Sequence, residues 1–206
     1  MKSILLSFIA LITIILTASL FMVFSGTFNV SSNWEDPPLL EWLLVETREN
    51  SVKKRAKSIK EQGRITGEQS QLNNGFRSYR EMCANCHSSP GQAKSPIAVG
   101  LNPTPPDLTK KRDHEMSASE LFWVIKYGIR MTGMPAWGQT HKDGEIWDIV
   151  AFLKILPDLK STDYLDLDRT LEAGHGHSGV SDHHINTTKQ AHEGHNSHHD
   201  AVPHSH

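Results

Sequence analysis

The chain has 206 residues, 37% of them hydrophobic and 21% charged, with a formal net charge of −2, two cysteines and thirteen histidines. The charge is uneven, with 19 basic and 16 acidic residues up to position 160 and two basic against seven acidic beyond it. Neither part has the strongly basic face of a nucleic-acid binder, and the modest apolar content confines a packed core to one segment.

The chain opens on SILLSFIALITIILTASLFMVF, residues 3–24, which contains no charge. A hydrocarbon core needs about 20 apolar residues, whereas the apolar region of a signal peptide usually runs to about 7–15. Residues 1–26 therefore read as a retained membrane anchor. A cleaved signal, with Val23 and Ser25 before the cut, is the alternative, and either way the remainder is exported. Lys2 before the run and Glu35 and Asp36 after it weakly favour an inside N-terminus. The basic run from Arg48 to Arg64 lies too far along for the positive-inside rule, so charge leaves the orientation open.

Residues 27–71 read as a linker carrying a helix from Leu39 to about Gly63. Leu39, Leu40, Leu43 and Leu44 fall at helical spacing, and the stretch becomes basic towards its end. Two roles fit: a membrane-surface or partner-docking helix with Trp42 near the interface, or a spacer whose leucines pack on the main domain. Residues 72–160 alone have the makings of a core. Three helices are predicted there, at about 73–82, 117–128 and 144–156. Ser117 and Glu120 form a capping box, Gly128 stops the second helix and Pro157 ends the third. Nothing between them alternates like a strand, and so few short helices make a thin core that needs something else to fill it. Residues 161–206 hold ten of the thirteen histidines among small polar residues and predict disorder.

Both cysteines sit in EMCANCHSSPG, as Cys83 and Cys86 with His87 directly behind. A dithiol redox pair would use only the cysteines, and it normally sits in a strand–helix context lacking here. Structural zinc needs four ligands, and there is no second cysteine pair. Covalent haem attachment uses all three residues: two thioether bonds to the porphyrin and an imidazole on the iron. It also fits export, since such haem is attached on the outer face of the bacterial membrane, which sets the orientation. An opposite ligand must come from distant sequence, and GIRMTGMPAWG, residues 128–138, presents Met134 before Pro135 in a Gly/Pro-rich loop. Core methionines usually sit on helices, so a loop methionine points to ligation. Met131 in the same loop reads as a packing residue, and His141 and His114 as solvated loop histidines. Arg130 and Trp137 flank the methionine as partners for the haem propionates, or else as a solvated charge and a core residue. Tyr79 and Trp123 read as core.

The order of NNGFRSYREMCANCH, GLNPTPPDLT, ELFWVIKYGIRMTGMPAWG and EIWDIVAFLKILP resembles class I c-type cytochromes, particularly the bacterial mono-haem domains related to cytochrome subunits of haem–copper oxidases. The resemblance covers about residues 72–158. It implies an all-α cytochrome c fold with crossing first and last helices, Gly75 and Phe76 meeting the Trp147 region. It also implies one covalent haem c, Pro106 offering its carbonyl to His87, and Leu108 packing on the ring. With histidine and methionine on the iron, the expected protein is an electron carrier rather than an enzyme, anchored in the bacterial inner membrane with its haem domain in the periplasm. Its partners would be redox proteins of a respiratory chain. Two alternatives stay open: a subunit of a larger membrane oxidoreductase, and a metal-handling protein. In the latter, the tail histidines His175, His177, His183, His184, His198 and His199 would take copper, nickel or zinc.

Overall fold

In the computed structural model, which describes residues 2–61, 63–111 and 115–175, all regular structure is helical, with no strand among the described residues. Helix α1, Lys2–Phe24, is wholly exposed, and it is long and apolar enough to cross a membrane. Helix α2, Pro38–Ala56, starts with proline at its first position, where the missing N–H costs nothing.

The predicted helix at 73–82 is one arm of a longer rod. Helix α3, Gln69–Ser78, runs into a single π-helical turn, Tyr79–Cys83, and then into α4, Ala84–His87. The widened turn inserts one residue and rotates the Cys-x-x-Cys-His segment relative to α3. Such turns are often found at functional sites. After the short α5, Pro96–Gly100, helix α6 spans Ala118–Tyr127. The capping box forms as expected: Ser117 Oγ accepts from Glu120 N, and Ser117 N donates to Glu120 Oε2 at 2.8 Å. Gly128 closes the helix with φ +66°, a conformation that disfavours any side chain. Helix α7, Asp143–Ile155, ends in a 3₁₀ turn through Pro157.

Helices α3 and α7 cross in close contact. A Cβ at Gly75 would run into the Asp148 carbonyl oxygen and stand 2.8 Å from Phe152 Cβ. Phe76 meets Phe152 edge-on, with centroids 5.5 Å apart. Gly75 thus meets α7 next to Trp147, as expected, while the Trp147 ring itself stacks on Phe122 of α6 at 4.4 Å. The core thus divides into a cluster around Phe122, Ile146, Trp147 and Ile149 and another around Phe76, Tyr79, Phe152 and Leu156. Met82 and Leu153 pack against both.

Two expectations need correction. Of the four α2 leucines, Leu40 is half-buried and the other three do not pack on the main domain. Leu39, Leu43 and Leu44 are exposed, and the contact with α6 is made by the second half of α2, where Val52 and Ala56 are buried and Ile59 continues the packing. The leucines precede the point where α2 reaches the domain. The disorder expected from residue 161 also gives way, because Ser161–His175 form helix α8. Its Tyr164 is buried to 5% exposure against Phe76, with centroids 5.0 Å apart, and Leu167 and Leu171 pack on the same cluster. Three large side chains at helical spacing suffice to seat a helix whose remaining residues are polar. His177, His183, His184, His198 and His199 lie outside the described residues, as does His114, and His175 is the last residue of α8.

Candidate haem site

Cys83, Cys86 and His87 share the end of the rod. Cys83 is 8% exposed and Cys86 half-buried, both as free thiols. Burial, with a smaller effect from Cys86, pushes the Cys83 thiol up to about 12, so it stands protonated. The rod stops at Ser88, whose backbone takes φ +71°. Tyr79 braces this corner: its buried hydroxyl donates to the Ser88 carbonyl at 2.6 Å and lies 3.3 Å from the His87 carbonyl. Burial, then the neighbouring Cys83, raises the Tyr79 pKa well above the usual phenol range, so the hydroxyl keeps the proton it donates.

The His87 ring is held from behind. Its Nδ1 lies 2.9 Å from the Pro106 carbonyl oxygen, which can only accept, so the proton sits on Nδ1 and the basic lone pair on Nε2. The same loop grips the His87 backbone, since Leu108 N donates to the His87 carbonyl at 3.1 Å. Between the two contacts, Asp107 Oδ1 accepts from Thr109 N and Thr109 Oγ1 at 3.0 and 2.6 Å, and Lys110 pairs with its other oxygen at 3.2 Å. Partial burial works against ionisation of Asp107. The hydrogen bonds from Thr109 and Lys110 outweigh it and hold the carboxyl below its ordinary range. Leu108 packs, half-buried, on the Phe76 cluster.

Met134 reaches the core from the loop after α6, packing half-buried against the Phe122 cluster with Trp137. A compact network fixes that loop: Ile129 N donates to the Met134 carbonyl at 3.2 Å, Thr132 Oγ1 to the Ile129 carbonyl at 2.7 Å, and Met134 N to Thr132 Oγ1 at 3.1 Å. Gly133 packs under Leu101, whose side chain would stand 2.8 Å from a Cβ there. Met131, expected to be a packing residue, is instead 80% exposed with φ +60°, so it packs on nothing large. Arg130 is exposed, Trp137 half-buried with its ring edge-on to His141, and His141 Nδ1 lies 2.8 Å from Thr140 Oγ1. Trp123 lies half-buried beside Tyr127. The bracing roles of Tyr79, Thr132 and Leu101 were not foreseen. A Thr two residues before Met134 fits a local backbone-bonding pattern and is a signal for Thr132; the contacts of Tyr79 and Leu101 have no local signal.

The donor set fits a covalently attached haem: two thiols for thioether bonds, an imidazole with its lone pair on Nε2, and a thioether on a braced loop. The fold and these groups are those of a class I c-type cytochrome domain. Residues 70–153, under half of the chain, match the model of the family described as cytochrome c oxidase, cbb3-type, subunit III, which supports a haem-binding electron-transfer cytochrome domain there. Among solved structures, the chain is similar to one in the Kuenenia stuttgartiensis reducing HAO-like protein complex Kustc0457/Kustc0458. They share 21% identity over 48% of this chain, with a TM-score of 0.42, and the match covers 49% of the other chain, about half its length. No curated protein matches the chain.

Proposed function

We propose that this chain is an exported, membrane-anchored cytochrome with a single haem c that passes single electrons between respiratory partners. Cys83 and Cys86 would hold the haem through thioether bonds, and His87 and Met134 would be the residues that bind its iron. The contact between His87 Nδ1 and the Pro106 carbonyl carries this reading most directly. A carbonyl behind a ligating imidazole sets its tautomer and strengthens it as a donor. When bound, the haem supplies one-electron redox chemistry. The chain's own part is to hold two ligands rigidly: His87 between Tyr79 and the Pro106–Leu108 loop, and Met134 by the Thr132 bonds. With His87 and Met134 both given to the iron, small molecules would have little access to it, and a thioether donor would favour the ferrous state relative to a second imidazole. Leu108 and Trp137 would supply apolar surface for the group, and the exposed Arg130 would serve as a partner for a propionate. The haem domain then lies in the periplasm of a bacterial cell, on the outer side of the inner membrane.

The family's description as an oxidase subunit favours a second reading, in which the chain is one subunit of a larger membrane oxidoreductase. Stoichiometric co-purification with partners after mild detergent extraction distinguishes it from a free carrier. The ligand assignment has its own test. Met134→Leu should abolish the charge-transfer band of methionine-bound ferric haem, and Met131→Leu should leave it intact. The reverse pattern overturns the assignment.

A further inference from the structure

We propose that the first two turns of α2 lie in the interface of the bilayer that α1 spans, with Leu39, Trp42 and Leu43 seated among headgroups and upper acyl chains. The inference rests on the reading of α1 as a retained anchor and adds a second membrane contact to it. These three residues fall at i, i+3 and i+4 and so share one helix face. They are 68%, 58% and 46% exposed. The apolar face is short. Glu46, Asn50 and Lys53 continue it as polar residues, while Val52 and Ala56, on another face, are buried where α2 meets α6. Helix α2 is thus split lengthwise: its second half belongs to the haem domain, and its first two turns present apolar surface that no described element covers.

Chain continuity selects lipid as the occupant. Helix α1 ends at Phe24 and α2 begins at Pro38, so thirteen residues join them, and they do not run straight. Trp34 N donates to the Ser31 carbonyl at 3.2 Å, and the Trp34 carbonyl accepts from Asn102 Nδ2 at 3.0 Å. The link is folded and tied to the loop leading to Pro106, which keeps the start of α2 near the membrane end of α1. Phe28 and Trp34 in this link pack edge-on at 5.8 Å and are themselves exposed. Trp42 is a further exposed aromatic shortly beyond them in the chain, and tryptophan is enriched at membrane–water interfaces. Charge does not drive the contact. Glu35, Asp36, Glu41 and Glu46 surround the apolar residues, whereas Lys53, Lys54, Arg55 and Lys57 come later in the helix and just beyond it. Seating therefore follows apolar burial and does not require anionic lipid. Because the other half of α2 is fixed to α6, a seated helix sets the tilt of the haem domain over the membrane and limits which surface partners can approach.

The test uses full-length holoprotein in nanodiscs of zwitterionic phosphatidylcholine, with a nitroxide on Leu43→Cys and, in separate proteins, on Leu39→Cys and Lys53→Cys. Collision with oxygen, which concentrates in the bilayer, is compared with collision with a water-soluble nickel chelate. Severalfold higher oxygen-to-nickel ratios at 39 and 43 than at 53 are expected. Nickel collisions at 43 as frequent as at 53 would overturn the proposal. Exclusion of both reagents would also overturn it, showing a second copy or another protein on that face. Weaker brominated-lipid quenching of tryptophan fluorescence in Trp42→Phe than in the parent, Trp34 supplying what remains, gives the same answer without a label. The intact mass separates the two readings: a chain lacking α1 removes the anchor and this proposal with it, whereas a water-exposed position 43 in a chain that keeps α1 removes this proposal alone.

Discussion

Substituting Gly75 by alanine tests the helix crossing on which the site is built. The new Cβ would overlap the Asp148 carbonyl oxygen, stand 2.7 Å from the Asp148 carbonyl carbon and 2.8 Å from Phe152 Cβ. Two of these atoms are α7 main chain and the third is bonded to it, so no change of rotamer relieves the clash and the helices must part. Overpacking of this kind costs about 1–3 kcal/mol. Alanine returns up to about 1 kcal/mol through helix propensity. The backbone position of the obstacle puts the cost at the upper end, which leaves a net loss of about 2 kcal/mol. Urea unfolding of the holoprotein, followed by far-ultraviolet circular dichroism and by haem absorption, measures it. Gly144→Ala serves as the control, since a Cβ there meets nothing within 4 Å. If the two variants unfold within about 0.5 kcal/mol of each other, the crossing is not as close as argued.

Two further predictions concern the C-terminal region. Tyr164→Ala should cost about 3 kcal/mol, the low end for removing a buried aromatic, because α8 can lift away instead of leaving a cavity. Tyr164→Phe should cost only about 1 kcal/mol, through loss of the 3.2 Å hydrogen bond from Ser89. Denaturation and hydrogen exchange in α8 check both, and an alanine variant as stable as the parent would show that α8 is not seated on the core. If the tail histidines bind copper, a chain ending at Ala173, which keeps the packed part of α8, should take up less than the full chain at neutral pH. Equal uptake by calorimetric titration removes the metal-handling idea.

Much of the haem domain could be read from local signals. The Ser117–Glu120 box and Gly128 bounded α6 because a cap and a left-handed stop are written in adjacent residues. The helix expected at 144–156 forms as α7, and its Ile146, Ile149 and Val150 are buried. The features missed depend on distant contacts. Tyr164, Leu167 and Leu171 stand among acidic and polar residues, and only the Phe76 cluster they meet makes a helix of them. The leucines of α2 were obvious but uninformative, because Val52 and Ala56 make the contact with α6. The π-helical turn before Cys83 is a shift in backbone hydrogen bonding that no side chain announces. For the site, the motif drew attention to Cys83, Cys86 and His87. Why Met134 differs from Met131 became visible only in space, where one packs on the core and the other faces solvent.

The most direct test of the account is the absorption spectrum of the purified protein, oxidised and reduced, with acidified organic solvent and carbon monoxide as challenges. The account predicts that the haem colour stays with the polypeptide after extraction and that the reduced spectrum hardly changes under carbon monoxide. Colour that passes into the solvent would contradict covalent attachment through Cys83 and Cys86, and avid carbon monoxide uptake would contradict closure of the iron by His87 and Met134.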